Sequence, residues 1–331
     1  MSAGGAVSAA GAGAPLFERV ALIGVGLIGA SLARVMRRDG LAGRIDGCVR
    51  SQASRDYCLE HGIADAMHDT PGEAAEGADL VVLCTPVGAY AGIAEALADH
   101  LKPGAILTDV GSVKQAVIRD VGPYVPEGVH FIPGHPVAGT ERSGPEAGFA
   151  ELFEGRWCIL TPPPGTDADA VERLAEMWRR CGSMVEIMEP RHHDEILAIT
   201  SHLPHLIAYT IVGTASDVEQ GTLAEVAKFS AGGFRDFTRI AGSNPIMWRD
   251  IFLNNRDAVL EMLQRFTEDL TALQRAIRWG EGETLEALFS RTREVRQSVI
   301  EAHQAGTFDA REPEQAGITP PAPDKTDHPG E

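Results

Sequence analysis

Phe17-Glu18-Arg19-Val20-Ala21-Leu22-Ile23-Gly24-Val25-Gly26-Leu27-Ile28-Gly29 is the stretch whose reading decides the fold. Its apolar start suits a buried parallel strand, and the residues after it, through about residue 36, read as a helix. Three glycines spaced as GxGxxG stand between them, the context in which that pattern carries weight. Gly24 allows the tight turn, Gly26 lets backbone approach a pyrophosphate, and Gly29 lets the helix pack close to the strand. Leu27 and Ile28 open the helix, whose free N–H groups would face the phosphates. The bland alternative is a glycine-rich turn without a ligand.

Outward from this turn, strand and helix patterns alternate. A second strand at 44–49 ends in Val49-Arg50-Ser51, where an NAD-selective site usually places an acid for the ribose 2′-hydroxyl. None is present, so Arg50 and Ser51 are candidates to accept a 2′-phosphate, and the cofactor is read as NAD+ or NADP+. A strand at 78–84 ends in Thr85 and Pro86, which the open-sheet rule places in the nucleotide cleft. The strand at 105–110 empties into Gly111-Ser112-Val113-Lys114, where a hydroxyl and an ammonium are placed to meet a polar substrate. Ser112 as a simple helix cap is the competing reading. The strand at 129–132 delivers the polar loop GHPVAGTERSG at 134–144, and two more strands are expected at 157–160 and 184–188. The fold class is α/β, an N-terminal Rossmann-type dinucleotide-binding domain over 15–190.

From about residue 191 the strand signals stop, and an all-helical domain is expected over 191–306. His192-His193-Asp194-Glu195 opens its first helix, and Ser201-His202-Leu203-Pro204-His205 comes later in it. His193, Ser201 and His205 cannot share one face of a straight helix, and Pro204 is a candidate kink. Capping and core hydrogen bonds are the plain reading of these histidines; no HExxH pattern supports a metal. A further helix is expected at 223–230. Asn244 and Pro245 form a good cap and first helical residue. The apolar spacing from there predicts one helix of more than thirty residues, spanning an interdomain or dimer core. Residues 1–14 and 307–331 read as disordered tails.

The chain has 331 residues, so two domains are expected, and its net charge of −18 argues against a nucleic-acid or anionic-membrane partner. The five cysteines are scattered, as for reduced thiols. The N-terminus lacks the basic start and apolar run of a signal peptide, and no window approaches a membrane span. A cytoplasmic location is expected.

Together GVGLIGAS at 24–31, DVGSVK at 109–114, GHPVAGTERSG at 134–144, TSHLPH at 200–205 and GGFRDFTRIAGSNPIMWRDI at 232–251 resemble the prephenate/arogenate (cyclohexadienyl) dehydrogenases of tyrosine biosynthesis. The motifs cover most of residues 18–280 in the family's order. The resemblance implies oxidative decarboxylation of prephenate to 4-hydroxyphenylpyruvate, or of arogenate to tyrosine, with NAD(P)+ as acceptor. It implies that His135 accepts the proton of the ring hydroxyl, with Ser112 bonding that hydroxyl or orienting His135. Arg239 would bind the ring carboxylate and His205 the side-chain carboxylate. His193 and Ser201 would support, and Thr140, Glu141, Trp248 and Arg235 would complete the pocket. It further implies a homodimer of the minimal, monofunctional form, with tyrosine as an inhibitor acting at or near the active site. Two other readings stay open. A β-hydroxyacid dehydrogenase or imine reductase shares the architecture but relies on a helical-half lysine, and Lys228, the only lysine between 191 and 324, sits outside the motif cluster, which disfavours that reading. A nucleotide sensor without chemistry would not need His135, Ser112 and Arg239.

Overall fold

The computed structural model describes residues 14–217 and 232–301. The tail before residue 14, the helix expected at 223–230 with Lys228, and the tail from 307 lie outside them. Six parallel strands form the main sheet: β1 Phe17–Ile23, β2 Ala42–Cys48, β3 Ala66–His68, β4 Leu80–Leu83, β5 Ile106–Asp109 and β6 His130–Ile132. Their spatial order is β3-β2-β1-β4-β5-β6, the order of a doubly wound nucleotide-binding sheet. The order reverses between β1 and β4, so the turn after β1 and Thr85 after β4 open onto the same crevice.

Helices α1 Leu27–Arg38, α2 Gln52–Glu60, α3 Pro71–Ala75, α4 Tyr90–Leu97 and α5 Gln115–Val121 connect these strands, and α6 Ala168–Arg180 comes after them. Each face of the sheet carries its own apolar core. On one, Leu32 and Met36 of α1 and Leu174 and Trp178 of α6 are buried against Val20, Leu22 and Val82. On the other, Tyr90, Leu97 and Val117 cover Ala21, Val81 and Leu83. Each large side chain so buried contributes about 1.5–3 kcal/mol.

The strands expected after the histidine loop form, but not in that sheet. β7 Gly134–Pro136 pairs antiparallel with β8 Trp157–Leu160, which pairs parallel with β9 Met184–Ile187. Pro133 separates β6 from β7. It has no N–H to extend a ladder, and its carbonyl instead accepts from Thr161 N at 2.9 Å. The histidine loop thus begins as a strand, which gives His135 a fixed backbone.

Helix α7 runs over Pro190–Asp217. Its turn at Ala198–His202 is a π-helix, just ahead of Pro204, whose missing N–H breaks the regular ladder. This is the irregularity that Pro204 predicts. α7 also corrects the expectation that no segment could cross a membrane: its length and mean hydropathy of 1.4 suffice. It buries His193, Asp194 and His202, bonded to other elements of the fold, while 28% of its most apolar stretch is buried.

Helices α8 Gly232–Thr238, α9 Pro245–Asn254, α10 Arg256–Trp279 and α11 Gly282–Glu301 follow among the described residues. Asn244 Oδ1 caps α9, accepting from Ile246 N and Met247 N. The single long helix expected from Pro245 is broken at Asn255, which leaves helical geometry at φ −111, ψ 32.

By contacts the chain divides into two compact units, 1–264 and 265–331. All the candidate site residues belong to the first. In the second, Leu270, Ile277, Trp279, Phe289 and Val295 are large apolar side chains that are exposed among the described residues.

Candidate active site

The turn after β1 is built for a dinucleotide. Gly24 sits at φ +91, and a Cβ there would lie 2.5 Å from Thr85 Cγ2. A Cβ on Gly29 would lie 2.8 Å from the Gly24 carbonyl. Both positions exclude a side chain. Gly26 differs, since a Cβ there would meet nothing within 4 Å. That is the open approach a pyrophosphate needs. Gly26 also leaves the α1 N-terminus without a side-chain cap, so the N–H groups over Leu27 and Ile28 are free for phosphate. Thr85 Oγ1 is buried without a partner beside them, and Pro86 comes next at the strand end. These groups fit the cofactor.

At the end of β2, Arg50 is exposed, and Ser51 Oγ accepts from Ser54 N at 3.4 Å as the cap of α2. An acid does stand nearby, though not in sequence after β2. Asp69, beyond β3, is ion-paired with Arg55, whose Nε also donates to Val49 O.

Lys114 corrects the sequence reading. It is fully buried, turned into the protein rather than toward an open strand end. Its Nζ donates to Asp109 Oδ2 at 2.6 Å and to the Gly134 carbonyl at 2.5 Å. Asp109 also accepts from Gly111 N at 2.7 Å and Gly134 N at 3.1 Å. Burial pushes the Asp109 carboxyl up and the Lys114 ammonium down; each opposes that push on the other, and the Gly111 and Gly134 N–H groups add to it at Asp109. The pair fastens β7, and with it His135, to the end of β5. Lys114→Met leaves that carboxylate uncompensated, and we expect a loss of about 3–5 kcal/mol, read as the shift of a urea unfolding midpoint.

His135 is 6% exposed, and its Nδ1 lies 2.8 Å from His193 Nε2. His193 Nδ1 lies 2.9 Å from Asp194 Oδ1. Asp194 in turn accepts from Lys114 N at 2.8 Å and Gln115 N at 3.0 Å. Burial raises the Asp194 carboxyl, but the His193 bond and these two N–H groups outweigh it, so the group stays ionised.

The protons in this chain can therefore be placed. An ionised carboxylate only accepts, so His193 Nδ1 carries a hydrogen. Neutral His193 then accepts at Nε2, and His135 must donate from Nδ1. What remains on His135 is an unprotonated Nε2, a base. Burial first, and then the neighbouring His193, Lys114 and His202, hold its pKa well below 6.5.

Ser112 is half-buried beside this chain, but His193 rather than Ser112 orients His135. Asp194 anchors this chain of hydrogen bonds, and the sequence reading gives it no part in the site. Its only signal there is an acid directly after His193, and adjacent helix positions seldom face each other.

On the far side, Arg239 Nη1 lies 3.5 Å from Glu141 Oε2 of the histidine loop. Trp248 is buried, and His205 stacks on it with ring centroids 3.6 Å apart. His205 Nδ1 donates to the Ser201 carbonyl at 2.9 Å, one turn back on α7. Burial lowers the His205 pKa and the nearby Arg239 lowers it further, against the pull of that carbonyl. Thr140 and Glu141 are exposed in the loop, Thr140 Oγ1 accepting from Arg142 N. Arg235 is not drawn into this cluster; it is exposed, with Asp236 as an ion-pair partner at 3.7 Å.

Comparison with known proteins gives this geometry its context. A family model for the nucleotide-binding domain of prephenate dehydrogenase matches residues 32–187, and one for its dimerization domain matches 189–291. Cyclohexadienyl dehydrogenase of Zymomonas mobilis is 40% identical, over 87% of this chain and 98% of its own length. Prephenate dehydrogenase of Bacillus subtilis is 33% identical over 85% and 76%. Among solved structures, prephenate dehydrogenase of A. aeolicus, in complex with hydroxyphenyl propionate and NAD+, superposes with a TM-score of 0.79. It is 35% identical and covers 85% of this chain and 98% of its own. Synechocystis arogenate dehydrogenase gives 0.71, at 30% identity over 85% and 99%.

Proposed function

The chain belongs to the prephenate dehydrogenase family, and from that premise we propose how its own residues carry the reaction. It is an NAD(P)+-dependent oxidoreductase of tyrosine biosynthesis, which oxidatively decarboxylates prephenate, arogenate or both. Gly24, Gly26 and Gly29 would hold NAD(P)+, which would supply the hydride acceptor, with Arg50 and Ser51 the residues for its adenosine ribose.

His135 Nε2 takes the proton of the ring hydroxyl as hydride leaves the carbon that bears it. The order of hydrogen bonds from Asp194 through His193 carries this reading, because it leaves His135 a lone pair and nothing else to offer. The imidazolium that forms keeps its Nδ1–H on His193, and the Asp194 charge stabilises it through that ring. Ser112 holds the same hydroxyl. Loss of CO2 then aromatises the ring.

Arg239 binds the ring carboxylate. Its rest-state partner Glu141 is exposed, so that pair is weak enough to exchange for substrate. His205 meets the substrate side chain, supported by Ser201 and the Trp248 face, with Thr140 at the loop edge. Neutral His205 presents a lone pair at Nε2, since Nδ1 is committed to Ser201. It therefore receives an amino group as it stands, and a carboxylate only after taking up a proton. Arg235 contributes charge from outside the pocket.

The dimerization domain gives the chain a self-associating surface; the proposal is a cytoplasmic homodimer with tyrosine competing at the substrate site. Purified protein assayed with prephenate and arogenate, each with NAD+ and NADP+, should reduce cofactor in at least one combination. No reduction in any of the four ends the reading. Arg239→Ala should raise the substrate KM about 10–100-fold, as loss of a charged hydrogen bond implies, with kcat less affected. An unchanged KM removes Arg239 from the pocket.

A further inference from the structure

Asn255 interrupts what the apolar pattern would make one continuous helix, and it is 3% exposed. Its Nδ2 donates to the Asp194 carbonyl at 2.8 Å and lies 3.0 Å from His202 Nδ1. A carbonyl oxygen only accepts, so the atom at this junction is the amide nitrogen, with hydrogens for both neighbours. His202 Nδ1 must then be unprotonated, and the one hydrogen of the neutral ring sits on Nε2. Asp194 lies one helical turn before the π segment Ala198–His202 and His202 closes it, so one amide ties the helix ahead of that segment to the segment's last residue.

The surroundings of His202 are mixed. Asp194 and the Ser112 backbone favour its protonated form; His193 and His205 on the same helix oppose it. Trp248 of α9 meets the ring edge-on, with centroids 6.0 Å apart. Burial is the largest influence and pushes the pKa down to about 4, which keeps the ring neutral. Its Nε2 is buried without a hydrogen-bond partner among the described residues. A neutral histidine so close to the base has two possible forms. As the Nδ1–H tautomer it would present a second lone pair beside Ser112, competing with His135. As the Nε2–H tautomer it presents a donor.

We propose that Asn255 is a positioning residue for the dehydrogenase reaction: it holds His202 as the Nε2–H donor beside Ser112 and clamps the Asp194 segment, leaving His135 as the one base at the substrate hydroxyl. The inference rests on the dehydrogenase function proposed for the chain. It explains why a polar side chain is buried where the sequence pattern has an uninterrupted apolar helix.

The test is the isosteric Asn255→Asp, with Asn255→Ala beside it. A carboxylate cannot donate, so His202 has to place a hydrogen on Nδ1, and its ring gains a proton more readily. A cation there opposes proton uptake by His135. In Asn255→Asp, kcat near pH 7 should fall about tenfold or more while the substrate KM stays within about threefold. Activity then requires His202 to lose its proton, so the acid limb of the kcat profile follows the raised His202 pKa and should move up by about one pH unit or more. Nitrogen NMR of histidine-labelled wild type should show His202 Nδ1 unprotonated, and Asn255→Asp should show it protonated. Asn255→Ala should lose kcat without moving the acid limb as far. A wild-type His202 protonated at Nδ1 overturns the proposal even if both variants fail to fold. So does an Asn255→Asp enzyme whose pH profile and kcat superpose on the wild type. Wild-type protein that reduces no cofactor removes the dehydrogenase reading instead, and leaves the tautomer measurement standing.

Discussion

Replacing His135 with asparagine lowers kcat by about 10²–10⁴-fold, the usual contribution of a positioned general base, and leaves the substrate KM within about threefold. Asparagine keeps a polar group of similar reach at the hydroxyl, so binding survives while proton transfer does not. The hydroxyl becomes acidic only as hydride leaves its carbon, which is why the cost falls on the chemical step. The wild-type pH profile carries the same claim with a definite sign. The base works when deprotonated, and burial holds its pKa well below 6.5. Activity should therefore already be level between about pH 6.5 and 8, with the rising limb on the acid side of the ordinary histidine value. A limb centred above that value, or a His135→Asn enzyme within tenfold of wild type, removes His135 as the base.

Much of this architecture is legible in the sequence because local patterns determine it. A glycine at positive φ and a glycine packed on backbone leave a fixed spacing, and buried parallel strands leave short apolar runs. Five strands of the main sheet can be read from those; β3, three half-buried residues at Ala66–His68, is too short to leave such a run. The switch of β7 into a second sheet cannot, since Pro133 marks a break but says nothing about where the chain pairs next. Lys114 misleads for a related reason. A lysine at a strand end looks like a substrate ligand until its burial against Asp109 is known, and burial depends on what packs above it. Asn255 is hidden by its neighbours. Asparagine costs little in a helix by propensity, so a periodic apolar stripe on both sides overrides it in any pattern reading. Asp194 is visible as a residue and invisible as a function. Its partners Lys114 and Gln115 lie 80 and 79 positions away in the chain.

Asp194 gives the second large effect. All four groups that reach its carboxylate, namely the N–H of Lys114, the N–H and side-chain amide of Gln115, and His193 Nδ1, are arranged as donors. Asp194→Asn has one accepting oxygen for two accepting edges, so its NH2 must oppose one of them. If NH2 faces His193, that ring has to accept at Nδ1 and carry its hydrogen on Nε2. His135 Nδ1 then becomes the acceptor, its hydrogen moves to Nε2, and the base is gone. If NH2 faces Gln115, the Gln115 side chain can rotate to present its oxygen, and only the backbone N–H is left opposed. The second arrangement leaves fewer groups in conflict and keeps the tautomers, but it lacks the negative charge that stabilises the imidazolium. Both outcomes damage the step and not the binding, so kcat should fall about 10²–10⁴-fold with KM little changed. The arrangement also fixes how variants combine. Because Asp194 acts on the substrate only through His193, His193→Ala should cost about as much as Asp194→Asn, and the double variant no more than the worse single one. Fully multiplicative losses would mean that the two residues act separately, and the ordered chain behind His135 would have to be abandoned.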